Sequence, residues 1–273
     1  MQFSDFSERL TILLPGAVFV MLGGYTEGDR QVAIAAWKHI EKSPGYQRAK
    51  TSLKRLIGKE LRLPVELQVP TLKEGGWWFT PQGLNENSIV YSLGVGEDIE
   101  FDLAIIDRYG VALHAFDPTP SSINMLAAAD LPDRFSFHPW AVSAEDGTLS
   151  FYPRVRKDGS KSAVMFTTVA DDASRDDAIE VPAYCLASIS SQLGHSRIDL
   201  LKMDIEGAEY AVLEGLLASP IKPTQLLVEF HHRFPSIGLQ KTANIVARLR
   251  AAGYKIFAVS ETGREVSFLR TTL

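Results

Sequence analysis

Val90-Tyr91-Ser92-Leu93-Gly94-Val95-Gly96-Glu97-Asp98 is the stretch from which the rest of the chain is read. An apolar run from Ser88 to Leu93 ends in two glycines one residue apart. An amphipathic segment, Ile99-Glu100-Phe101-Asp102-Leu103-Ala104-Ile105-Ile106, follows at once. This is the pattern of a buried strand, a tight turn and a helix start. Glycines suit such a turn because the backbone can bend sharply and approach a ligand with no Cβ in the way. A lone glycine pair also fits an ordinary strand-to-helix turn, so the surrounding chain has to decide.

Working outward, the pattern repeats. Strand Ile89–Leu93 precedes helix Ile99–Tyr109; strand Ala112–Phe116 ends at Asp117-Pro118 and leads to helix Ser121–Ala129. Strands are expected at Phe135–Pro139, Gly147–Tyr152, Ile179–Tyr184, Ile198–Met203 and Gln225–Phe230, and helices at Leu186–Leu193, Ala208–Leu217 and Thr242–Ala252. Two last strands, Tyr254–Val259 and Glu265–Leu269, flank a short turn. Alternation of this kind predicts an α/β fold with a mainly parallel sheet covered on both faces, ending in an antiparallel pair. The polar stretch Arg154 to Asp177, with Asp171, Asp172, Asp176 and Asp177, reads as an irregular loop. Its Arg154, Arg156, Lys157 and Lys161 are either solvated or a lid over an acceptor.

Residues 1–75 lack the alternation. Gln31 to Ile40 and Gln47 to Leu61 read as helices, the second with a basic side of Arg48, Lys50, Lys54, Arg55 and Lys59. Pro64, Pro70 and Gly75-Gly76 break the pattern and set a boundary. The expectation is a mainly helical extension over 1–75 and a ligand-binding domain over 76–273. Thr11 to Gly24 is mostly apolar but shorter than the ~20 residues that span a bilayer. Asp5, Glu8 and Arg9 stand where a secretory signal would carry only positive charge. A buried helix or strand is the expectation, in a cytoplasmic protein with no transmembrane segment. A net charge of −5 argues against nucleic acid as a partner. The single cysteine, Cys185, excludes an intramolecular disulfide framework and a cysteine-based zinc cluster.

In sheets of this class, ligands bind beyond the carboxyl ends of the strands. Those ends carry Gly94, Gly96, Glu97 and Asp98; Asp117; Trp140, Ala141 and Val142; Asp204 and Glu206; and Glu229, His231 and His232. Asp117 falls about 20 positions past the glycine turn, where a carboxylate can accept from both ribose hydroxyls. The nucleotide is NAD or S-adenosylmethionine. Position 99, where GxGxxG would place its third glycine, is Ile99. Glu97 and Asp98 put negative charge where a pyrophosphate would bind. A cationic sulfonium tolerates that charge.

The stretch Asp199-Leu200-Leu201-Lys202-Met203-Asp204-Ile205-Glu206-Gly207-Ala208-Glu209, with Val212-Leu213 and Gly215 after it, closely resembles the hallmark of the FkbM family of S-adenosylmethionine-dependent methyltransferases. Val90 to Asp98, Ala115-Phe116-Asp117-Pro118, Trp140-Ala141-Val142-Ser143 and Leu227-Val228-Glu229-Phe230-His231 resemble its other segments, in order. The likeness covers roughly residues 75 to 260. It implies a Rossmann-like class I methyltransferase: a seven-stranded sheet with one antiparallel strand, and methyl transfer usually to a hydroxyl. Many members carry an acidic residue at the position of Ser92 and a glycine at that of Asp98. The cofactor set it implies is Gly94, Gly96, Glu97, Asp98, Asp117, Trp140, Ala141 and Asp204.

Methyl transfer needs an aligned acceptor and a group that takes its proton. His231 is the candidate base, with Asp204, Glu229 and His232 as the other catalytic candidates; on a strand the two histidines would face opposite ways. No metal is expected, although Asp204, Glu229 and His231 are acceptable ligands for a divalent cation. The expected partner is a sugar, glycan or other small-molecule acceptor. The competing readings are a NAD-linked oxidoreductase and a non-catalytic relative that binds a nucleotide or a partner. Acceptor identity and oligomeric state leave no mark on these motifs.

Overall fold

A computed structural model describes residues 3–6, 9–14, 17–22, 27–155, 160–167 and 175–271. The chain divides into two compact units, Met1–Ser52 and Leu53–Leu273. In the first, strands Phe3–Phe6, Arg9–Leu14 and Ala17–Leu22 form an antiparallel sheet. Ile12, Val18, Phe19 and Val20 are residues that favour the extended, pleated backbone. Helices Glu27–Lys42 and Pro44–Leu56 follow. The first 75 residues therefore hold strands as well as the two expected helices.

The second unit is built on a seven-stranded sheet, whose strands are numbered along the chain as β1 (Ile89–Leu93), β2 (Ala112–Phe116), β3 (Phe135–His138), β4 (Leu200–Met203), β5 (Gln225–Glu229), β6 (Tyr254–Val259) and β7 (Glu265–Arg270). Their order across the sheet is β6-β7-β5-β4-β1-β2-β3. Only β7 runs antiparallel to its neighbours. The α/β fold with one antiparallel strand is the architecture the alternation predicted. Register sets Leu93 level with Phe116 and with Met203, and Met203 level with Val228, so four strands end together. Chain direction diverges at β1 and β4, the switch point where such sheets leave a crevice.

Both faces are covered. Tyr91, Leu93, Phe116, Met203 and Val228 pack under helices Leu186–Gln192, Glu209–Ala218 and Gly238–Ala251. Val90, Leu113, Leu200 and Leu227 pack with helices Glu100–Tyr109 and Pro120–Ala127. Between β3 and β4 the chain adds a second sheet, in the order Lys161–Thr167, Gly147–Val155, Ile179–Cys185, Ala141–Ser143. The expected loop over 154–177 is thus corrected in part: Lys161–Thr167 is a strand paired with Gly147–Val155. Its Ala163-Val164-Met165-Phe166 core is short, and the charged residues around it hide it. Arg156, Lys157, Asp171 and Asp172 lie outside the described residues.

Residues ahead of the glycine pair at 75–76 are hydrogen-bonded to this sheet. The amides of Glu66 and Leu67 donate to Ile256 O at 2.7 and 3.1 Å, and Ile256 N–H donates to Glu66 Oε2 at 2.9 Å.

Candidate active site

The level strand ends open onto a cavity of about 260 Å³. Its floor is the turn after β1. Gly94 has φ +75°, and a Cβ there would lie 1.8 Å from Asp204 O. Only glycine lets the turn pass so close to the end of β4. Gly94 N–H donates to Phe116 O (3.0 Å) and Asp204 N–H to Leu93 O (2.9 Å), which stitches the loops after β1, β2 and β4 together.

Asp117 is buried at the end of β2. Its Oδ2 accepts from Gly96 N–H at 2.9 Å; its Oδ1 accepts from the Thr119 amide and hydroxyl at 2.8 and 2.6 Å. Ser122 Oγ closes the ring by donating to Gly96 O at 2.8 Å. A carboxylate has about four lone-pair sites, so Oδ2 keeps one for a ligand hydroxyl. Asp98 Oδ1 accepts from Glu100 N–H at 2.9 Å at the start of the next helix. Leu149, Phe151 and Phe166 of the second sheet form an apolar wall, with Trp140 at the β3 end.

All eight residues expected at the cofactor, Gly94, Gly96, Glu97, Asp98, Asp117, Trp140, Ala141 and Asp204, line this one cavity. Glu206 lines it as well, and among the described residues no lysine, arginine or histidine does. A wall with carboxylates and no cation fits a ribose and a sulfonium, and repels a pyrophosphate. The cradle and the donor set therefore fit S-adenosylmethionine. Trp77, ahead of β1, is a core aromatic with Lys202 Nζ 5.2 Å from its ring centre.

Behind Asp204 lies a second cluster. His231, 5% exposed, points Nε2 toward Glu206 Oε2 (3.4 Å) and Asp204 Oδ1 (3.7 Å), and Nδ1 toward Glu209 Oε1 (3.3 Å). Glu209 is fully buried and bridges two loops: its Oε2 accepts from Gly207 N–H at 2.9 Å and its Oε1 from His231 N–H at 2.8 Å. Burial alone would lower the His231 pKa, but Glu209, Glu206 and Asp204 outweigh it and hold the ring at about 8. Burial, reinforced by Asp204, pushes Glu229 up to about 7 despite Arg264 2.5 Å away. Burial also raises Glu206. Glu206 carries a left-handed backbone, φ 49°, rare for a residue with a Cβ.

Asp204, Glu229 and His231 each bring one donor atom within 4.8 Å of the others, a set that suits magnesium or manganese. His232 turns the other way, with Nε2 2.5 Å from Glu60 Oε1. The structure therefore gathers three of the four catalytic candidates and sends the fourth elsewhere. Glu209 stands in the Asp199–Glu209 stretch, but its burial could not be read from spacing. Arg154 Nη1, 2.8 Å from Glu206 Oε2, comes from the second sheet, as no linear motif indicates.

Residues 75–256 match the methyltransferase FkbM domain model. The chain is 27% identical over 167 residues to a probable methyltransferase-like protein 24 of Homo sapiens, covering 60% of this chain and 38% of that one. It is 25% identical over 201 residues to the 31-O-demethyl-FK506 methyltransferase FkbM of Streptomyces tacrolimicus, covering 64% and 75%. The chain thus spans about two fifths of the human relative's length. A crystal structure of an FkbM methyltransferase from Methylobacillus flagellatus superposes with a TM-score of 0.44 at 14% identity, over 69% of this chain and 45% of that one. With more than half its length matched by the family model, the chain belongs to the FkbM methyltransferase family.

Proposed function

We propose that this protein is an S-adenosylmethionine-dependent O-methyltransferase acting on a hydroxyl of a sugar, glycan or other small natural product. One observation carries the reading: Asp204 lines the cofactor cavity and also faces His231 Nε2. A proton acceptor therefore stands beside the place where methyl transfer would occur. The Streptomyces relative is named for an O-methylation, which supports a hydroxyl as acceptor.

S-adenosylmethionine, when bound, supplies an electrophilic methyl group on its sulfonium. The chain's own residues do the rest. Asp117 and the Gly94–Gly96 turn would hold the cofactor's ribose, Trp140 and Ala141 would flank its base, and Glu97 and Asp98 would meet its amino group. Leu149, Phe151 and Phe166 exclude water from the transfer zone, which strengthens the electrostatics inside. Asp204 orients the acceptor hydroxyl, His231 receives its proton at Nε2, and Glu209 Oε1, 3.3 Å from Nδ1, stabilises the charged ring. Orientation is the larger contribution, since alignment alone removes several kcal/mol from such a barrier.

Isothermal calorimetry with S-adenosylhomocysteine and with NAD tests the cofactor assignment. Binding of the first and none of the second is expected; the reverse would make the protein an oxidoreductase. Tritiated methyl transfer to a panel of glycans and hydroxylated metabolites then identifies the acceptor. Turnover on any of them removes the non-catalytic reading. Alanine at both Asp204 and His231 with unchanged turnover would remove the proton-transfer assignment.

The Asp204–Glu229–His231 grouping favours a second reading, in which a divalent cation lowers the acceptor's pKa. Arg264, already on Glu229, opposes it. Turnover that survives EDTA excludes this reading; turnover lost in EDTA and restored by manganese excludes the metal-free one.

A further inference from the structure

Glu60 lies outside the family-matched residues 75–256 and outside every motif in the sequence, yet its side chain is fully buried. One oxygen, Oε1, stands 2.5 Å from His232 Nε2. The other, Oε2, accepts from Arg233 Nε at 3.0 Å and from Arg233 Nη2 at 2.5 Å. Arg233 Nη2 also donates to Thr262 O at 2.7 Å, in the turn between β6 and β7. A carboxylate out of water is costly unless such partners surround it. Here they do, and although burial opposes it, His232 and Arg233 hold the Glu60 pKa down at about 2.

We infer that Glu60 is a positioning residue for His231, acting through the His232-Arg233 pair that it anchors. The strap after β5 has three consecutive polar side chains. His231 faces Asp204 and Glu206, and its neighbours His232 and Arg233 are pulled to the opposite side by one buried carboxylate. A tight turn does the rest: Phe234 N–H donates to His231 O at 3.0 Å, so His231 opens a turn whose two central residues, His232 and Arg233, are both fixed by Glu60. Phe234 closes the strap against the His231 ring at a centroid distance of 4.9 Å. Glu60 itself is held in place, since Arg55 Nε donates to Leu61 O at 3.0 Å and the Glu66–Ile256 pairing ties the segment to β6. The segment before residue 75 thus contributes a support that the family-matched residues lack. The inference takes from the proposed function only the importance of His231; the contact chain stands without it.

The test is imidazole NMR on the full chain, labelled with ¹⁵N-histidine and saturated with S-adenosylhomocysteine. His231→Gln assigns the His231 cross-peaks by their loss. Glu60→Ala is expected to shift or broaden the His231 cross-peaks as well as those of His232, with the affinity for S-adenosylhomocysteine unchanged. Glu60→Gln, which keeps the shape of the side chain and an acceptor for Arg233, is expected to move them the same way but less, and is the variant to read should the alanine variant not fold. His231 cross-peaks unchanged in the folded variants would overturn the inference. Loss of S-adenosylhomocysteine binding along with the shift would also overturn it, by showing a general collapse of the site. Should His231→Gln itself turn over acceptor at the full rate, the base assignment fails while the NMR result stands, so the two failures are distinguishable.

Discussion

At the scale of single residues, the site is set by backbone positions that tolerate no ordinary side chain. Gly94→Ala places a Cβ 1.8 Å from Asp204 O, a backbone atom that no rotamer change can move, at a φ of +75°. The loops after β1 and β4 must separate to make room. We expect this variant to lose S-adenosylhomocysteine binding by calorimetry while retaining the far-ultraviolet circular dichroism of the α/β core; near-normal affinity would contradict the close approach. Glu206 is the opposite case, a side chain retained where backbone favours glycine. Such a conformation costs about 1 kcal/mol or more and persists where the side chain has work to do. Glu206→Gly should therefore leave stability within about 1 kcal/mol of the parent, since relief of strain offsets loss of a partly exposed ion pair with Arg154. Turnover should fall by about tenfold or more, equivalent to ~1.4 kcal/mol of barrier. A variant as active as the parent would show that Glu206 serves the fold alone. The glycines were legible in the sequence because their type is the signal. The strain at Glu206 was not, because residue type does not report φ.

At the scale of elements, the sheet and the helix after the glycine turn each bury a charged side chain, and the two charges act on one another. Lys202 on β4 lies opposite Ser92 on β1, with Nζ 3.3 Å from Ser92 Oγ. The carboxylate that feels the Lys202 charge is that of Asp102 on helix Glu100–Tyr109, fully buried with neither oxygen hydrogen-bonded. Burial pushes the Asp102 pKa up, and the Lys202 ammonium pulls it back. Removing one member leaves the other charge or polar group stranded, at a cost of about 3–5 kcal/mol; replacing both with apolar side chains is often near neutral. Lys202→Met should thus lower stability by about 3 kcal/mol in urea unfolding, and adding Asp102→Leu should recover part of it. Strictly additive losses would show that the two side chains do not interact. This contact explains why the element scale was only half legible. Strands β1, β2 and β6 fall on the expected residues because an apolar run bounded by turn residues marks a buried strand. Strand Lys161–Thr167 and the partners of Asp102, Glu60 and Arg154 depend on which elements meet in space, and no local period encodes that.

At the scale of the whole molecule, three histidines act on stability with one sign and a fourth with the other. His114, His138 and His195 cluster beside β1 to β3: His114 Nδ1 lies 3.1 Å from His138 Nε2, and Tyr91 OH 2.8 Å from His195 Nδ1. Burial, with mutual repulsion, lowers the His114 pKa to about 4, and burial first lowers His138 and His195 too. The unfolded chain then binds more protons than the folded one below the ordinary value of ~6.5, so these rings withdraw stability as pH falls from there toward 4. His231 works the other way. Its folded pKa of about 8 lies above the unfolded value, so its contribution is complete below pH ~6.5 and is lost as pH rises through 8. Glu229, raised to about 7, also favours the protonated folded state and withdraws stability between its ordinary carboxylate range and pH 7, against the cluster's trend over that window. Urea unfolding at stepped pH, with EDTA present, should therefore show an alkaline decline between pH 6.5 and 8 that His231→Gln flattens. It should also show an acid decline below pH 6.5 that His114→Phe flattens, because phenylalanine keeps the stacking against His138 without a proton site. His114→Phe should leave the alkaline limb's slope intact, since the two clusters share no contact among the described residues. An acid limb unchanged in His114→Phe would mean that carboxylates elsewhere control it, and the division would not hold.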